Sequence, residues 1–205
     1  MVLKETLYFL KIFVDLDYIY ILQKSCWFTM LLFGHIGVTL GIFFAIGIFI
    51  PRLKTVIDPK YLAIGALLPD LIDKPLGMII FASTFANGRI VCHTLLFVLS
   101  LFLLGLYLYE KKKDTKVLSL ASGSFFHLIE DQMWAIPKTL FWPLLGLQFP
   151  KNQVDFNGIE YLTRLFENSF TFHISRSSAP EILGIGIIVI LALPWLIKEF
   201  GQNKF

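Results

Sequence analysis

The stretch GALLPDLIDKPLG, residues 65–77, places two carboxylates and a lysine inside an apolar run, residues 61–85, that is long enough to cross a bilayer. A charged side chain near the centre of a membrane costs about 3 kcal/mol or more, so Asp70 and Asp73 need partners elsewhere in the chain. Two prolines bracket the acids and interrupt the hydrogen bonding of a regular helix. The stretch therefore predicts a distorted membrane helix that presents two acids to a polar site.

The composition is that of an integral membrane protein. Of the 205 residues, 56% are hydrophobic and only 16% are charged, and the mean hydropathy is +0.71. A soluble domain usually has roughly 25% charged residues. The sequence contains no internal repeat, and no basic stripe with interleaved aromatic residues of the kind that binds nucleic acid. The expected partner is therefore the lipid bilayer, and nucleic acid is not expected.

Apolar segments predict an all-α, polytopic membrane helix bundle of about five spans. The segments are residues 26–50, 61–85, 90–109, 117–136 and 182–197. Residues 26–205 are predicted to form a single membrane-embedded domain. The long connection at residues 138–180 is too apolar for a disordered linker, so it is expected to form an external helical cap.

Residues 1–25 precede the first predicted span. Lys4, Lys11 and Asp15 share one helical face, which favours an amphipathic interfacial helix over a sixth span. A second hypothesis is that residues 1–29 are a mis-called extension and that Met30 is the natural start. N-terminal sequencing of natively expressed protein distinguishes the two.

Clusters of basic residues predict the orientation of the chain. They follow the first, third and fifth predicted spans, at residues 52–54, 111–116 and 198–204. By the positive-inside rule these ends face the cytoplasm. The sequence thus predicts an integral protein of a prokaryotic cytoplasmic membrane, with the connection at residues 138–180 on the extracytoplasmic side.

The polar residues inside the predicted spans share one depth, from the middle to the outer half, although the helices alternate in direction. They are His35, Asp70, Asp73, His93, His127, Glu130 and Asp131. Asp70 and Asp73 are three apart and His127 and Asp131 are four apart, spacings that put side chains on one face of a helix. Imidazole with carboxylate is a ligand set for a divalent metal, zinc first, with manganese or iron as alternatives. A bound dication would also neutralise acids placed in hydrocarbon.

Simpler interpretations of the same residues stay open. Asp70 and Asp73 also fit a capped turn between two half-helices, with Lys74 as the counter-ion. His127 and Asp131 also fit a hydrogen-bonded pair without metal. A single histidine in an apolar helix is commonly a packing residue, and an arginine near the interface commonly extends toward water.

Five short motifs follow an order and spacing that resemble the YdjM-type family of membrane-bound metal-dependent hydrolases. They are GHIGVTLG, GALLPDLID, GRIVCHTLL, HLIED and WPLLG, within residues 30–147. The family looks remotely similar to the zinc-dependent phospholipase C and single-strand nuclease group, helical enzymes whose metals are held by His and Asp. By analogy of fold, the resemblance implies phosphoester chemistry.

The resemblance also implies roles for individual residues. The implied metal ligands are His35, Asp70, Asp73, His93, His127 and Asp131. Arg89 matches the arginine of the third motif and could hold a phosphate or a lipid headgroup. Gly88 and Cys92 depart from the family pattern, which has a histidine and a threonine there, so one candidate imidazole is missing.

Together these features predict a membrane-bound metal-dependent hydrolase that acts on a phosphoester or lipid-like substrate at the outer leaflet. Glu130 is the candidate proton acceptor and Arg89 the candidate substrate-binding cation. Acids and histidines inside a membrane, with proline-broken helices, also describe a proton- or cation-coupled transporter, which is the alternative. Five spans without an inverted repeat leave a monomer little room for alternating access, which favours the enzyme.

Overall fold

The computed structural model describes residues 32–151 and 179–202, together with residues 160, 163 and 167. In these parts of the chain every regular element is helical, which confirms the predicted all-α class. The predicted interfacial helix at residues 1–25 and most of the predicted cap at residues 138–180 lie outside the described residues.

The first three helices lead to the two acids. They are α1 at Leu32–Phe49, the short α2 at Leu53–Val56 and α3 at Pro59–Pro75. Asp58 caps α3, because its side chain accepts a hydrogen bond from the backbone N–H of Lys60 at 2.9 Å. Pro75 ends the regular helix, which continues as a π-helical turn at Leu76–Ile80. The helix is therefore irregular directly after Asp70 and Asp73.

The following helices return to the same end of the bundle. They are α4 at Leu95–Lys112, α5 at Lys116–Glu130, the short α6 at Pro137–Leu140 and α7 at Ala179–Gln202. The hydroxyl of Thr94 caps α4 by accepting a hydrogen bond from the N–H of Phe97 at 3.1 Å. Because α4 and α5 form a hairpin, the start of α4 and the end of α5 lie side by side. His93 and Asp131 flank these two points.

Glycines bring α3 and α5 into close contact. A Cβ atom on Gly65 would overlap the backbone of Leu120, and one on Gly123 would overlap the backbone of Leu62. Small residues permit this kind of approach between membrane helices. His127 lies one turn beyond Gly123 on α5, so its ring is held directly beside α3.

The helices pack in a fixed order around an interior that is apolar away from the acids. α1 lies between α7 and the α3–α5 pair, and α4 packs on α5. One apolar cluster joins the far ends of α1, α3 and α5: Phe43, Ile57, Leu62 and Leu118. A second lies where α4 and α5 meet the 3₁₀ turn at Met133–Ala135: Val98, Leu128, Met133 and Leu140. The buried polar residues lie at the end of the bundle opposite the first cluster and next to the second.

Much of the described helix surface is apolar, whereas several ionisable side chains are buried. The exposed apolar residues of α4 are Leu96, Leu99, Leu103, Leu104, Leu106 and Tyr107. In contrast, His35, Asp73, His93 and His127 have no exposed surface. An apolar surface with buried ionisable groups suits a bundle that faces lipid.

Among the described residues, α1 is the one helix that is long and apolar enough to cross a membrane. The apolar part of α7, Ala179–Pro194, is shorter. α5 has 15 residues, which at 1.5 Å per residue gives about 22 Å, less than the roughly 30 Å of bilayer hydrocarbon. The segment predicted as the third span is not helical until Leu95. About five spans therefore stays a prediction.

Candidate metal centre

Four segments bring all of the predicted site residues to one end of the bundle. α1 contributes His35, α3 contributes Asp70 and Asp73, the segment before α4 contributes Arg89 and His93, and the end of α5 contributes His127, Glu130 and Asp131. Each of the three histidines is fully buried. The shared depth predicted from the sequence thus corresponds to a shared location.

Four of these residues form a group that could hold a metal ion. Asp70, His93, His127 and Asp131 each offer one donor atom, and these atoms lie within 4.8 Å of one another. The Nε2 atom of His93 lies 3.5 Å from Oδ1 of Asp70 and 3.7 Å from Oδ2 of Asp131. Donors at about 2.0–2.1 Å around a tetrahedral zinc ion stand about 3.4 Å apart. One dication therefore fits this group with small adjustments.

The rings of His93 and His127 are oriented by what their Nδ1 atoms contact. Nδ1 of His127 lies 2.7 Å from the carbonyl oxygen of Ala66, and Nδ1 of His93 lies 2.8 Å from Oδ2 of Asp73. A carbonyl or carboxylate oxygen only accepts, so each Nδ1 carries the hydrogen and each neutral ring directs an Nε2 lone pair inward. These two Nε2 atoms are 3.2 Å apart. This is a hydrogen bond if one of the two rings carries a second proton, and a metal cation would take the place of that proton.

Asp73 contacts His93 on the side of the ring that faces away from the four-residue group. It accepts hydrogen bonds from the backbone N–H groups of Ile90 at 2.8 Å, Cys92 at 2.9 Å and His93 at 3.1 Å, besides the ring of His93. Asp73 therefore anchors the segment before α4. Its oxygens are occupied by these donors rather than directed at the four-residue group.

His35 and Glu130 form a second hydrogen-bonded unit. Nδ1 of His35 lies 2.7 Å from Oε2 of Glu130, while the hydroxyl of Thr39 donates to Oε1 of Glu130 at 2.8 Å. The ring of His35 lies against that of His127, with centroids 4.1 Å apart and ring planes tilted by 36°. Nε2 of His35 is buried without a hydrogen-bond partner, 3.5 Å from Oδ1 of Asp131. It is a further nitrogen donor at the edge of the group.

Two cations flank the carboxylates of the group. Lys74 pairs with Oδ2 of Asp70 one turn away on α3, and Nε of Arg89 donates to Oδ2 of Asp131 at 2.7 Å. Their side chains are 18% and 35% exposed, against about 5–6% for the two acids. Oδ1 of Asp70 is buried and has no hydrogen-bond partner.

Acidic side chains outnumber basic ones in the described site. The groups in contact are Asp70, Asp73, Glu130, Asp131, Lys74 and Arg89. With every carboxyl group ionised and neutral imidazoles, these groups would carry two net negative charges, which one dication would neutralise. The donor set is compatible with a single divalent ion.

A family model described as YdjM inner membrane protein matches residues 30–203. The chain belongs to the YdjM family. The match contains every helix of the described structure and every residue of the candidate metal centre, so the resemblance drawn from the motifs is confirmed. No curated protein and no solved structure matches the chain. Membership of an inner membrane family confirms that the chain is a membrane protein; the side that the site faces stays a prediction.

In this member of the YdjM family, the two departures from the motif pattern lie beside the centre. Cys92 is buried, and its backbone N–H donates to Asp73. Gly88 contributes no side chain, so no imidazole stands at that position. Neither residue belongs to the group of four donors.

Sequence reasoning missed two contributors to the centre, Thr39 and the carbonyl of Ala66. Thr39 is one helical turn after His35, so its spacing could have indicated it. The carbonyl of Ala66 left no signal, because any residue type supplies a backbone oxygen. Lys74 was expected only as the counter-ion of a simple turn, and the structure shows that ion pair with Asp70 beside the group of donors.

Proposed function

We propose that this protein is a membrane-bound metal-dependent hydrolase that acts on a phosphoester or lipid-like substrate at the outer leaflet. The observation that carries the proposal is the orientation of three buried imidazoles. Each Nδ1 faces an acceptor outside the group of four donors. The Nε2 atoms of His93 and His127 then face each other at 3.2 Å, and that of His35 lies 3.5 Å from Asp131. Histidines that bind a metal are commonly oriented through the other ring nitrogen in this way.

In this proposal Asp70, His93, His127 and Asp131 hold one dication, and His35 supplies an additional donor from α1. Zinc suits a set of nitrogen and oxygen donors at these separations, with manganese or iron as alternatives. A bound dication supplies polarisation of the scissile group and activation of water. The chain supplies largely buried ligand side chains.

Asp73 and Glu130 receive different roles from those that the sequence suggested. Because its oxygens accept four hydrogen bonds, Asp73 is assigned to orienting His93 rather than to binding the ion. Glu130 is assigned to orienting His35, since both of its oxygens have close donors. These assignments follow from the hydrogen bonds and are tested by metal binding.

The position of Arg89 favours a substrate with a negative charge. It is the more exposed of the two cations that contact the group, and it lies against the ligand Asp131. A guanidinium at the rim can contact phosphoryl oxygens while its Nε holds the carboxylate. A lipid-linked phosphoester is the substrate class that combines this charge with a site surrounded by apolar helix surface.

Metal content of the purified full chain tests the proposal. Wild-type protein in mild detergent is expected to contain about one equivalent of zinc, manganese or iron by mass spectrometry, because one dication fits the group of four donors. Asp70→Asn and His127→Gln should lose it. Asp58→Asn is the matched control, since Asp58 caps the opposite end of α3. Retention of the metal in both site variants would show that the assigned ligands are wrong.

Reaction assays separate the hydrolase from the transporter. Metal-dependent cleavage of phospholipid or of an aryl phosphodiester in detergent, absent in His127→Gln, supports the proposal. Proton or cation flux in proteoliposomes that is lost in the same variant, with no turnover, supports coupled transport instead.

A further inference from the structure

Helix α7 contacts the first turn of α1 through a buried carboxylate. Phe33 and Gly34 lie in the first described turn of α1, and their N–H groups donate to this carboxylate. Oε2 of Glu181 accepts a hydrogen bond from Phe33 at 3.0 Å, and Oε1 accepts one from Gly34 at 3.0 Å. Glu181 is only 4% exposed. Its two oxygens therefore hold two consecutive amides of α1.

Glycines allow α7 to come this close. A Cβ atom on Gly184 would overlap the backbone of Phe33 and Gly34, and one on Gly37 would overlap the backbone of Gly184. Glu181 and Gly184 are three residues apart, so they lie on the same face of α7. The backbone of α7 is therefore in close contact with the backbone of α1 on both sides of His35, at Gly34 and at Gly37.

We propose that Glu181 is a positioning residue of the candidate metal centre and acts through His35. The ring of His35 must satisfy two distances at once, 2.7 Å from Nδ1 to Glu130 and 3.5 Å from Nε2 to Asp131. A small slip or rotation of the first turn of α1 changes both distances. The inference rests on the proposed function, because the side chain that is positioned belongs to the proposed centre.

The hydrogen-bond geometry distinguishes this role from general stabilisation of the fold. Glu181 contacts α1 immediately before His35, whereas His93 and His127 are fixed by Asp73 and by the carbonyl of Ala66. Loss of Glu181 should therefore disturb His35 and leave the other two rings in place. A purely structural cap would lower thermal stability without this selectivity.

The test uses histidine NMR on the full chain in detergent micelles. The chain has four histidines, so the ring N–H signals of ¹⁵N-histidine-labelled protein can be assigned with His35→Gln and His93→Gln. The variants are Glu181→Ala, which removes both acceptors, and Glu181→Gln, which keeps one. Leu183→Ala is the matched control, because Leu183 lies on the same helix and is 55% exposed.

In Glu181→Ala, we expect the Nδ1–H signal of His35 to shift or disappear while that of His93 is unchanged. Zinc affinity, measured by chelator competition, should fall about tenfold, the lower end for residues that orient metal ligands. Glu181→Gln should lie between the two, and Leu183→Ala should match wild type.

An unchanged His35 signal in folded Glu181→Ala, or equal shifts of all assigned histidines, would overturn the inference. If Glu181→Ala does not fold, the His35 signal of Glu181→Gln decides in the same way. If wild-type protein binds no metal, the proposed function fails, but the NMR comparison still tests whether Glu181 positions His35.

Discussion

At the scale of single residues, each imidazole of the centre is held through Nδ1, two by carboxylates and one by a backbone carbonyl. The acceptor of His35 is Glu130, which also accepts a hydrogen bond from Thr39. The acceptor of His93 is Asp73, which also accepts from backbone amides, and the acceptor of His127 is a backbone carbonyl. The strength of these acceptors therefore differs, and so should their contribution to metal binding. Such differences can be measured by single substitutions.

The first prediction concerns Asp73→Asn. An amide offers one acceptor in place of two and turns its NH₂ group toward backbone N–H donors, so the segment from Ile90 to His93 should lose its anchor. Metal affinity is expected to fall about 10- to 100-fold, measured by competition with a chromogenic chelator. Asp58→Asn should leave the affinity unchanged. An unaltered affinity in Asp73→Asn would contradict the assigned role.

The second prediction concerns Thr39. Thr39→Val keeps the shape of the side chain but removes the donor to Glu130, leaving a buried carboxylate oxygen unsatisfied. The expected loss of stability is about 1.5–3 kcal/mol, the range for hydrogen bonds to charged groups. Thr39→Ser keeps the hydroxyl and should lose less. Thermal unfolding in detergent measures both, and equal stability of the Val and Ser variants would exclude the hydrogen bond as the cause.

Residue types and spacings were enough to predict which side chains lie together at one end of the bundle. They did not indicate which of these side chains would bind a metal and which would orient the ligands. Asp70 and Asp73 look equivalent in sequence, being acids three residues apart. Only the tertiary structure shows that backbone amides of a later segment donate hydrogen bonds to Asp73. It also shows that one carboxylate oxygen of Asp70 has no hydrogen-bond partner among the described residues. Glu181 gave no signal at all, since its partners are backbone amides about 150 residues earlier in the chain.

At the scale of secondary structure elements, the contact between α3 and α5 connects close packing with ligand orientation. The carbonyl of Ala66, which orients His127, is next to Gly65, where α3 touches the backbone of Leu120. The distance between the two helices therefore determines whether this hydrogen bond forms. Helix packing and metal binding should respond together to a change at the glycine.

The third prediction is that Gly65→Ala destabilises the protein and weakens metal binding. The added methyl would force α3 and α5 apart, at an expected cost of about 1–3 kcal/mol for an overpacked site. Gly186→Ala is the matched control, because a Cβ atom there meets no neighbour within 4 Å; it should be neutral or stabilising by up to about 1 kcal/mol. Thermal unfolding and chelator competition on both variants test this. Equal behaviour of the two would refute the argument from packing.

Helix boundaries were less predictable than the helices themselves. Hydropathy predicted one continuous span at residues 117–136, whereas α5 ends at Glu130 and is followed by the 3₁₀ turn at Met133–Ala135. Apolar side chains continue through this turn because they pack against α4, as Met133 does. Burial inside the protein and burial in lipid therefore leave the same pattern in the sequence.

At the scale of the whole molecule, the candidate centre lies at the end of the bundle opposite the basic turn between α4 and α5. That turn, which includes Lys113, is expected in the cytoplasm by the positive-inside rule. Lys151 follows Pro150, whose carbonyl accepts a hydrogen bond from Asn87 near the centre. The two lysines therefore mark opposite ends of the described structure.

The fourth prediction follows from this separation. In a background in which both native cysteines are replaced, Lys151→Cys should react with a membrane-impermeant maleimide in intact cells, because the site is expected to face outward. Lys113→Cys should react only after the membrane is permeabilised. Both side chains are exposed, so access decides the result. The reverse pattern would place the centre on the cytoplasmic side.

The two ion pairs of the centre also differ in when they can form during synthesis. Lys74 follows Asp70 by one turn of the same helix, so this pair can be complete while α3 alone is leaving the translocon. Arg89 and Asp131 are separated by 42 positions and meet only once the hairpin of α4 and α5 has been inserted. Asp131 therefore gains its arginine only after both segments are in place, and we expect this contact to form before the proposed ion binds.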